Sequence, residues 1–250
     1  MGLIDTEALV LKSYNLSEAD KIVVFLTREH GLIRGVAKGA RRLKSRFGGS
    51  LEPFSIVQLT YFQKEERDLV SIRNSEIIRS FFESAADPDI FNKFAYIVEL
   101  LNDFSPPEDP NERLYRMARI CLETTAGEPA RLTQLVLYFE LWLLKLNGFL
   151  PAWENCEICK RPLADNEKTN LQANFQIVCR NCQKTRSNRQ IEGEMREIYR
   201  AAQRVSPARF LELTAGRLAE VRELSEILKK LISNILGRET IGEKLLLSNK

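Results

Sequence analysis

Apolar and polar residues alternate in short strand-like runs over the first eighty residues and recur at steps of three and four thereafter. Thr6 to Tyr14, Lys21 to Thr27, Leu32 to Ala37, Ser55 to Phe62 and Leu69 to Ile78 are rich in Val, Ile, Leu, Tyr and Phe. Polar or glycine-bearing turns separate them, which predicts five strands. Beyond Ser80, Asp87-Pro88 pairs a capping carboxylate with a proline at the first helical position and predicts a helix to about Phe104. Ser105-Pro106-Pro107 stops it, and Asp109, Pro110 and Glu112 repeat the start signal for a helix through about Thr125. Arg131 to Leu146 is apolar on nearly every side, with Tyr138, Phe139 and Trp142 among its leucines, as a central buried helix reads. Ile191 to Arg204 and Arg217 to Leu236 are amphipathic, and Gly237 stands where a helix C-cap belongs.

Five consecutive strands with no helix-length gap predict a small barrel, since closing a sheet removes its edges. A five-stranded Greek-key barrel of oligonucleotide-binding type (OB-fold) is the economical arrangement, and periodicity does not separate it from other five-stranded barrels. The expected architecture is α+β and multidomain. An OB-fold barrel spans 1–80, an all-helical domain is split between 81–154 and 190–250, and a cysteine-bearing insertion occupies 155–189.

The length of 250 residues is enough to bury a core without disulfides, and 44% apolar with 28% charged residues is ordinary for a globular chain. The most apolar stretch, Leu132 to Leu150, is interrupted by Glu140 and Lys145, and no basic-then-apolar signal opens the chain. A membrane or secreted protein is therefore not expected, and the cytoplasm is the default. The single histidine, His30, discourages an enzymatic reading, because acid–base catalysis draws on histidine more than on any other side chain. No Walker loop, zincin motif, nucleophile elbow or dinucleotide fingerprint occurs.

Four of five cysteines fall into two pairs, Cys156-x-x-Cys159 and Cys179-x-x-Cys182, with nineteen residues between the pairs. Two thiolate pairs at this separation converge on one tetrahedral ion, the preferred structural environment of zinc. Four sulfurs leave no open position, so the expected zinc, one per chain, is structural. Lys160, Arg161, Lys168, Arg180, Lys184, Arg186 and Arg189 surround the pairs and offer a weaker expectation of phosphate contact. Cys121 shares a helix stripe with Leu114, Met117, Ala118 and Leu122 and reads as core; Trp153 is expected to seal the insertion against the helices.

The net charge of +3 is unevenly distributed. Residues 1–80 carry 13 Lys/Arg against 10 Asp/Glu, and the remainder carries 24 of each. From His30 to Leu51 there is no acidic residue, yet Arg34, Lys38, Arg41, Arg42, Lys44 and Arg46 all fall there. Such a patch suits phosphates gripped without base reading. Phe47, flanked by Arg46 and two glycines, is the expected base-stacking residue.

A barrel carrying KGARRLKSRFGGSLEPF (Lys38 to Phe54), followed by helices interrupted by the two cysteine pairs, resembles the RecO family of bacterial DNA repair proteins over essentially the whole chain. The resemblance implies a non-enzymatic recombination mediator acting with RecR and sometimes RecF. It would bind single- and double-stranded DNA, anneal complementary strands, and help RecA replace single-strand binding protein on the nucleoid. The acidic, phenylalanine-terminated tail of single-strand binding protein would meet an apolar pocket beside a cation on the helical domain. The competing expectation is a zinc-stabilised scaffold whose barrel binds a protein partner.

Overall fold

The five apolar runs all form strands: β1 (Gly2–Asn15), β2 (Lys21–Thr27), β3 (Leu32–Ala37), β4 (Ser55–Gln63) and β5 (Val70–Ser80). In the computed structural model, which describes residues 2–63, 69–127, 129–183 and 189–248, they close into a barrel in the order β1-β2-β3-β5-β4. All neighbours are antiparallel except β3 and β5, which pair in parallel. Every second residue points inward, so Ala8, Val10, Val23, Phe25, Val57, Leu59 and Tyr61 fill the interior. Gly35 is an inward position where a Cβ would lie 2.3 Å from Ile72 Cδ1, so the missing side chain makes room for β5.

Two helices lie against the outside of the barrel. In α1 (Pro88–Phe104), Asp87 Oδ1 accepts from the backbone N–H groups of Asp89 and Ile90, as the Asp-Pro signal predicts. In α2 (Glu112–Gly127), the cap is Asn111 rather than Asp109: Asn111 Oδ1 accepts from Leu114 N at 3.0 Å. Asp109 instead supplies the backbone that lies against Gly31, where a Cβ would meet its carbonyl oxygen at 2.5 Å. Phe54 stands with φ 65° and sets its ring 5.3 Å from that of Phe94. The Tyr115 hydroxyl donates to Glu7 Oε1 at 2.8 Å, and Arg119 pairs with the same carboxylate. Barrel and both helices form one compact unit, Met1–Pro129.

The second unit, Ala130–Lys250, is built on α3 (Leu132–Leu146). Its Glu140 is fully buried, paired with Lys229 Nζ at 3.2 Å and accepting from Ser225 Oγ at 2.8 Å. A charge on a core helix is thus met by partners on α6 (Leu218–Leu236). Trp142, expected in the core, is only half-buried: its indole N–H donates to Ala202 O, and the Lys145 ammonium lies 4.7 Å from the ring centre. The predicted helix from Ile191 begins later, as α4 (Gly193–Ala202), because Ile191 belongs to a short strand. Two further helices, α5 (Pro207–Leu213) and α7 (Ile241–Ser248), complete the unit, and α6 ends on Gly237 at φ 66° as predicted. The cysteine segment contributes β6 (Thr169–Leu171) and β7 (Ile177–Val178), which pair with β8 (Gln190–Ile191) in the order β7-β6-β8. Among the described residues no helix is long and apolar enough to cross a membrane.

Phe47 lies in the barrel core, 3% exposed, together with Leu51. Truncating such a ring removes its transfer energy and leaves a cavity, so Phe47→Ala is expected to destabilise the protein by about 3–5 kcal/mol, read by urea unfolding.

Candidate nucleic-acid interface and metal centre

The segment from Gly39 to Glu52 is a succession of tight turns. Backbone N–H groups of Arg42, Ser45, Gly48, Ser50 and Glu52 each donate to the carbonyl three residues back. Gly39 and Gly48 take φ of 73° and 51°, which L side chains rarely adopt. The segment is docked on the turn between β1 and β2. Gly39 N–H donates to Asp20 Oδ1 at 2.8 Å, Arg41 N–H to Ala19 O at 3.0 Å, and the Arg41 guanidinium to Ser17 O at 2.6 Å.

Arg34, Lys38, Arg41, Arg42, Lys44 and Arg46 are all exposed. Among the described residues, no carboxylate comes within ion-pair distance of any of them. The acids that flank the run along the chain are otherwise engaged, Glu29 with Arg28 at 3.5 Å and Glu52 with Lys21 at 3.1 Å, and Asp20 accepts from Gly39 N–H. These six cations, on β3 and the turns that directly follow it, therefore carry their charge into solvent without internal neutralisation, an arrangement that concentrates a positive field.

Phe47 corrects the expectation of a stacking residue. Its ring points into the barrel, and the Arg46 guanidinium covers it at 4.9 Å from the ring centre, so no base reaches it. Two cations were missed by the charge count because they lie outside the acid-free run. Arg73 and Arg79 are exposed on β5, without a carboxylate partner among the described residues, above the rings of Phe62 and Phe81.

In the second unit, Cys156, Cys159, Cys179 and Cys182 converge, their sulfurs all within 4.8 Å of one another. A tetrahedral zinc with four sulfurs at 2.3 Å places them about 3.8 Å apart; Cys159 and Cys179 Sγ stand at 4.0 Å. The Cys179 N–H donates to Cys156 Sγ at 3.3 Å. Burial pushes the Cys156 thiol up, but the N–H groups of Cys179, Cys159 and Ile158 outweigh it and bring it down to about 6. The Cys182 thiol is pushed up to about 12 by the neighbouring sulfurs of Cys159 and Cys179. Four thiolates crowded in this way need a cation among them, so the donor set fits a thiophilic metal. Cys121, by contrast, is a core thiol that burial alone raises to about 12.

The cysteine segment is fixed to α4. Trp153 is buried as predicted, stacked on Tyr199 of α4 with ring centres 4.6 Å apart, and its N–H donates to Phe175 O. Arg196, on α4 and 1% exposed, donates to the carbonyls of Trp153, Leu163, Ala164 and Glu167. Nothing in the sequence singles out this arginine. Gly193 allows the same approach, since a Cβ there would meet Asp165 O at 2.6 Å.

The cations around the cysteines are largely paired: Lys160 with Glu157, Arg161 with Glu167, Lys168 with Glu192, and Arg189 with Glu226. Arg180 is exposed, and Lys184 and Arg186 lie outside the described residues. This charge pattern is opposite to that of the barrel face.

Barrel with basic turns and helical unit with four cysteines correspond to the two halves of one known protein class, recombination proteins. The family described as "Recombination protein O N terminal" matches residues 1–81, and "Recombination protein O C terminal" matches 93–244. The chain belongs to the RecO family. The DNA repair protein RecO of Syntrophus aciditrophicus is 30% identical over 247 residues, 96% of this chain and 94% of its own. The DNA repair protein RecO of Koribacter versatilis is 32% identical over 160 residues, 64% of this chain and 65% of its own. That of Thermodesulfovibrio yellowstonii is 34% identical over 179 residues, 71% and 69% of the two chains.

Arg196→Met preserves length and loses the hydrogen bonds to four carbonyls. It is expected to lower stability by about 3 kcal/mol or more, since bonds from a charged donor contribute about 1.5–3 kcal/mol each. Thermal unfolding of the full chain measures it.

Proposed function

We propose that this protein is a DNA repair and recombination mediator that binds single- and double-stranded DNA without reading sequence and anneals complementary strands. The observation that carries the proposal is the set of six exposed cations with no carboxylate partner among the described residues. Phosphates are the partner such a face lacks. Arginine forks and lysine point charges on a run of turns, rather than on a helix or strand suited to a groove, favour backbone contact over base recognition. By neutralising two strands at once, the face lowers the repulsion that opposes their pairing, and no nucleotide hydrolysis is required.

We read the barrel as an OB-fold. Support comes from its closed order, in which β1 serves both β2 and β4, and from the parallel pairing of β3 with β5. The division of labour proposed is a DNA-binding barrel at 1–80, helical parts at 81–154 and 190–250, and a zinc-holding insertion at 155–189. Cys156, Cys159, Cys179 and Cys182 would hold one zinc per chain, which supplies folding energy and no chemistry. Membership of the family supports action with RecR, and in some settings RecF, to place RecA on strands covered by single-strand binding protein. Its acidic tail would dock in an apolar pocket beside a cation on the helices around α3. The proposed setting is the nucleoid within the cytoplasm.

Salt dependence tests the DNA reading. With about five cations on phosphate, log affinity for single strands falls with log salt at a slope of about −3.5. Replacing Arg41, Arg42, Lys44 and Arg46 with alanine flattens that slope by about 2.8, weakens binding to all sequences alike and abolishes fluorescence-detected strand annealing. A wild-type slope near zero removes the proposal. For the metal, elemental analysis is expected to return one zinc per chain. Cys156→Ala or Cys182→Ala should lower thermal stability more than DNA affinity per folded molecule, and the reverse ranking would make the cysteine segment a DNA contact.

A further inference from the structure

The outer surface of the barrel beside the basic turns carries a feature that phosphate binding alone does not use. Along β1, Ala8 and Val10 point inward, and strict alternation would carry Lys12 and Tyr14 inward as well. A bulge intervenes: Val10 pairs with Phe25, but Lys12 pairs with Val24, leaving Leu11 as the extra residue. The alternation is thereby reversed, and Lys12 and Tyr14 face outward. Such bulges re-aim side chains, and this one places the Tyr14 ring in solvent at 51% exposure.

The cross-strand register shows what surrounds the ring. Tyr14 is opposite Ile22, and Ile22 is opposite Val36, so the three form one row across β1, β2 and β3 on the outer face. Ile22 and Val36 are themselves partly exposed. In the next row Lys12 and Arg34 flank Val24. Above the row, the bonds from Gly39 and Arg41 to Ser17, Ala19 and Asp20 fasten the basic turns to the loop that directly follows Tyr14 and Asn15. Of the six tyrosines, Tyr14 alone is exposed, and its side chain makes no hydrogen bond or ring contact among the described residues.

We infer that this row is a base-stacking surface for single-stranded DNA, with Tyr14 as its aromatic platform and the docked cations holding the phosphates beside it. The inference rests on the reading of the basic face as DNA-binding and adds to it the means of preferring unpaired strands. A flat, uncharged ring beside fixed cations matches a polymer of flat bases on a charged backbone. A duplex hides those faces in its own stack and gains nothing from the ring. The prefixed turns also mean that little ordering accompanies binding.

The test compares Tyr14→Ala and Tyr14→Phe in the full chain, using a fluorescent oligothymidylate and a duplex of equal length. Tyr14→Ala is expected to bind the oligothymidylate about tenfold more weakly, while its duplex affinity, its salt slope and its thermal midpoint stay unchanged, because the ring is uncharged and exposed. Tyr14→Phe keeps the platform and restores single-strand affinity. A 5-iodouracil oligonucleotide should crosslink to the peptide containing Tyr14. Unchanged oligothymidylate binding by Tyr14→Ala overturns the inference, as does an equal loss for single strand and duplex. So does an intact DNA affinity accompanied by loss of binding to RecR, which would make the row a protein contact. If the four-alanine variant of the basic turns also keeps full affinity, the DNA reading itself fails. If only the Tyr14 variant is silent, the barrel binds DNA through its charges alone.

Discussion

One segment of chain, the turns that follow β3, has to satisfy two opposing demands. Its like charges repel one another, and yet the face they form is useful only if they are held together. The structure separates the two demands by side. Phe47 and Leu51 point inward and join the barrel core, while the six cations point to solvent. Burying a large apolar side chain contributes about 1.5–3 kcal/mol, comparable to or larger than the repulsion between exposed, screened charges several ångströms apart. The bonds to Ser17, Ala19 and Asp20 then fix the direction in which the charges point. An aromatic residue that reads from sequence as a ligand contact is instead an anchor that lets its charged neighbours stay in solvent.

The second unit resolves its charges differently. Most cations near the cysteines are matched by carboxylates of the same unit, and the one deeply buried arginine among the described residues bonds to carbonyls. Arg196 thereby does for the cysteine segment what a strand partner would do for a sheet edge: it satisfies backbone acceptors that a short, irregular loop leaves open. With β6, β7 and β8 only two or three residues long, the segment has little hydrogen-bonded structure of its own. The side chains of Trp153 and Arg196, together with the four sulfurs, take the place of a core.

Much of this was legible in the sequence, for identifiable reasons. All five strands and the long helices announce themselves, because half-burial imposes period two or 3.6 on their residues. Asp87 and Gly237 cap as their chemistry dictates. The convergence of the cysteine pairs was legible because two C-x-x-C turns at this separation can bring four sulfurs to one point. What escaped has no period. The inward turn of Phe47 depends on a run of turns rather than on a strand. The outward turn of Tyr14 depends on a bulge that reverses alternation, and a bulge leaves no mark in a pattern of two. Helix α5 covers only seven residues and α7 eight, too few for an amphipathic stripe to stand out. Arg196 looks like any cation on an amphipathic helix until the carbonyls it reaches are known.

The parallel pairing of β3 with β5 also sets the order in which the barrel can assemble. β1, β2 and β3 are a local meander, joined by short connections that close quickly. β4 and β5 are themselves a local hairpin, but β4 must return to β1 across more than forty residues of chain and β5 must reach β3 in parallel, contacts of higher sequence separation that folding reaches last. The basic turns lie inside that long closure. Phe47 and Leu51 pack with residues of β4 and β5 in the core, so the turns that carry the cations reach their final seat only once the last two strands have closed the barrel.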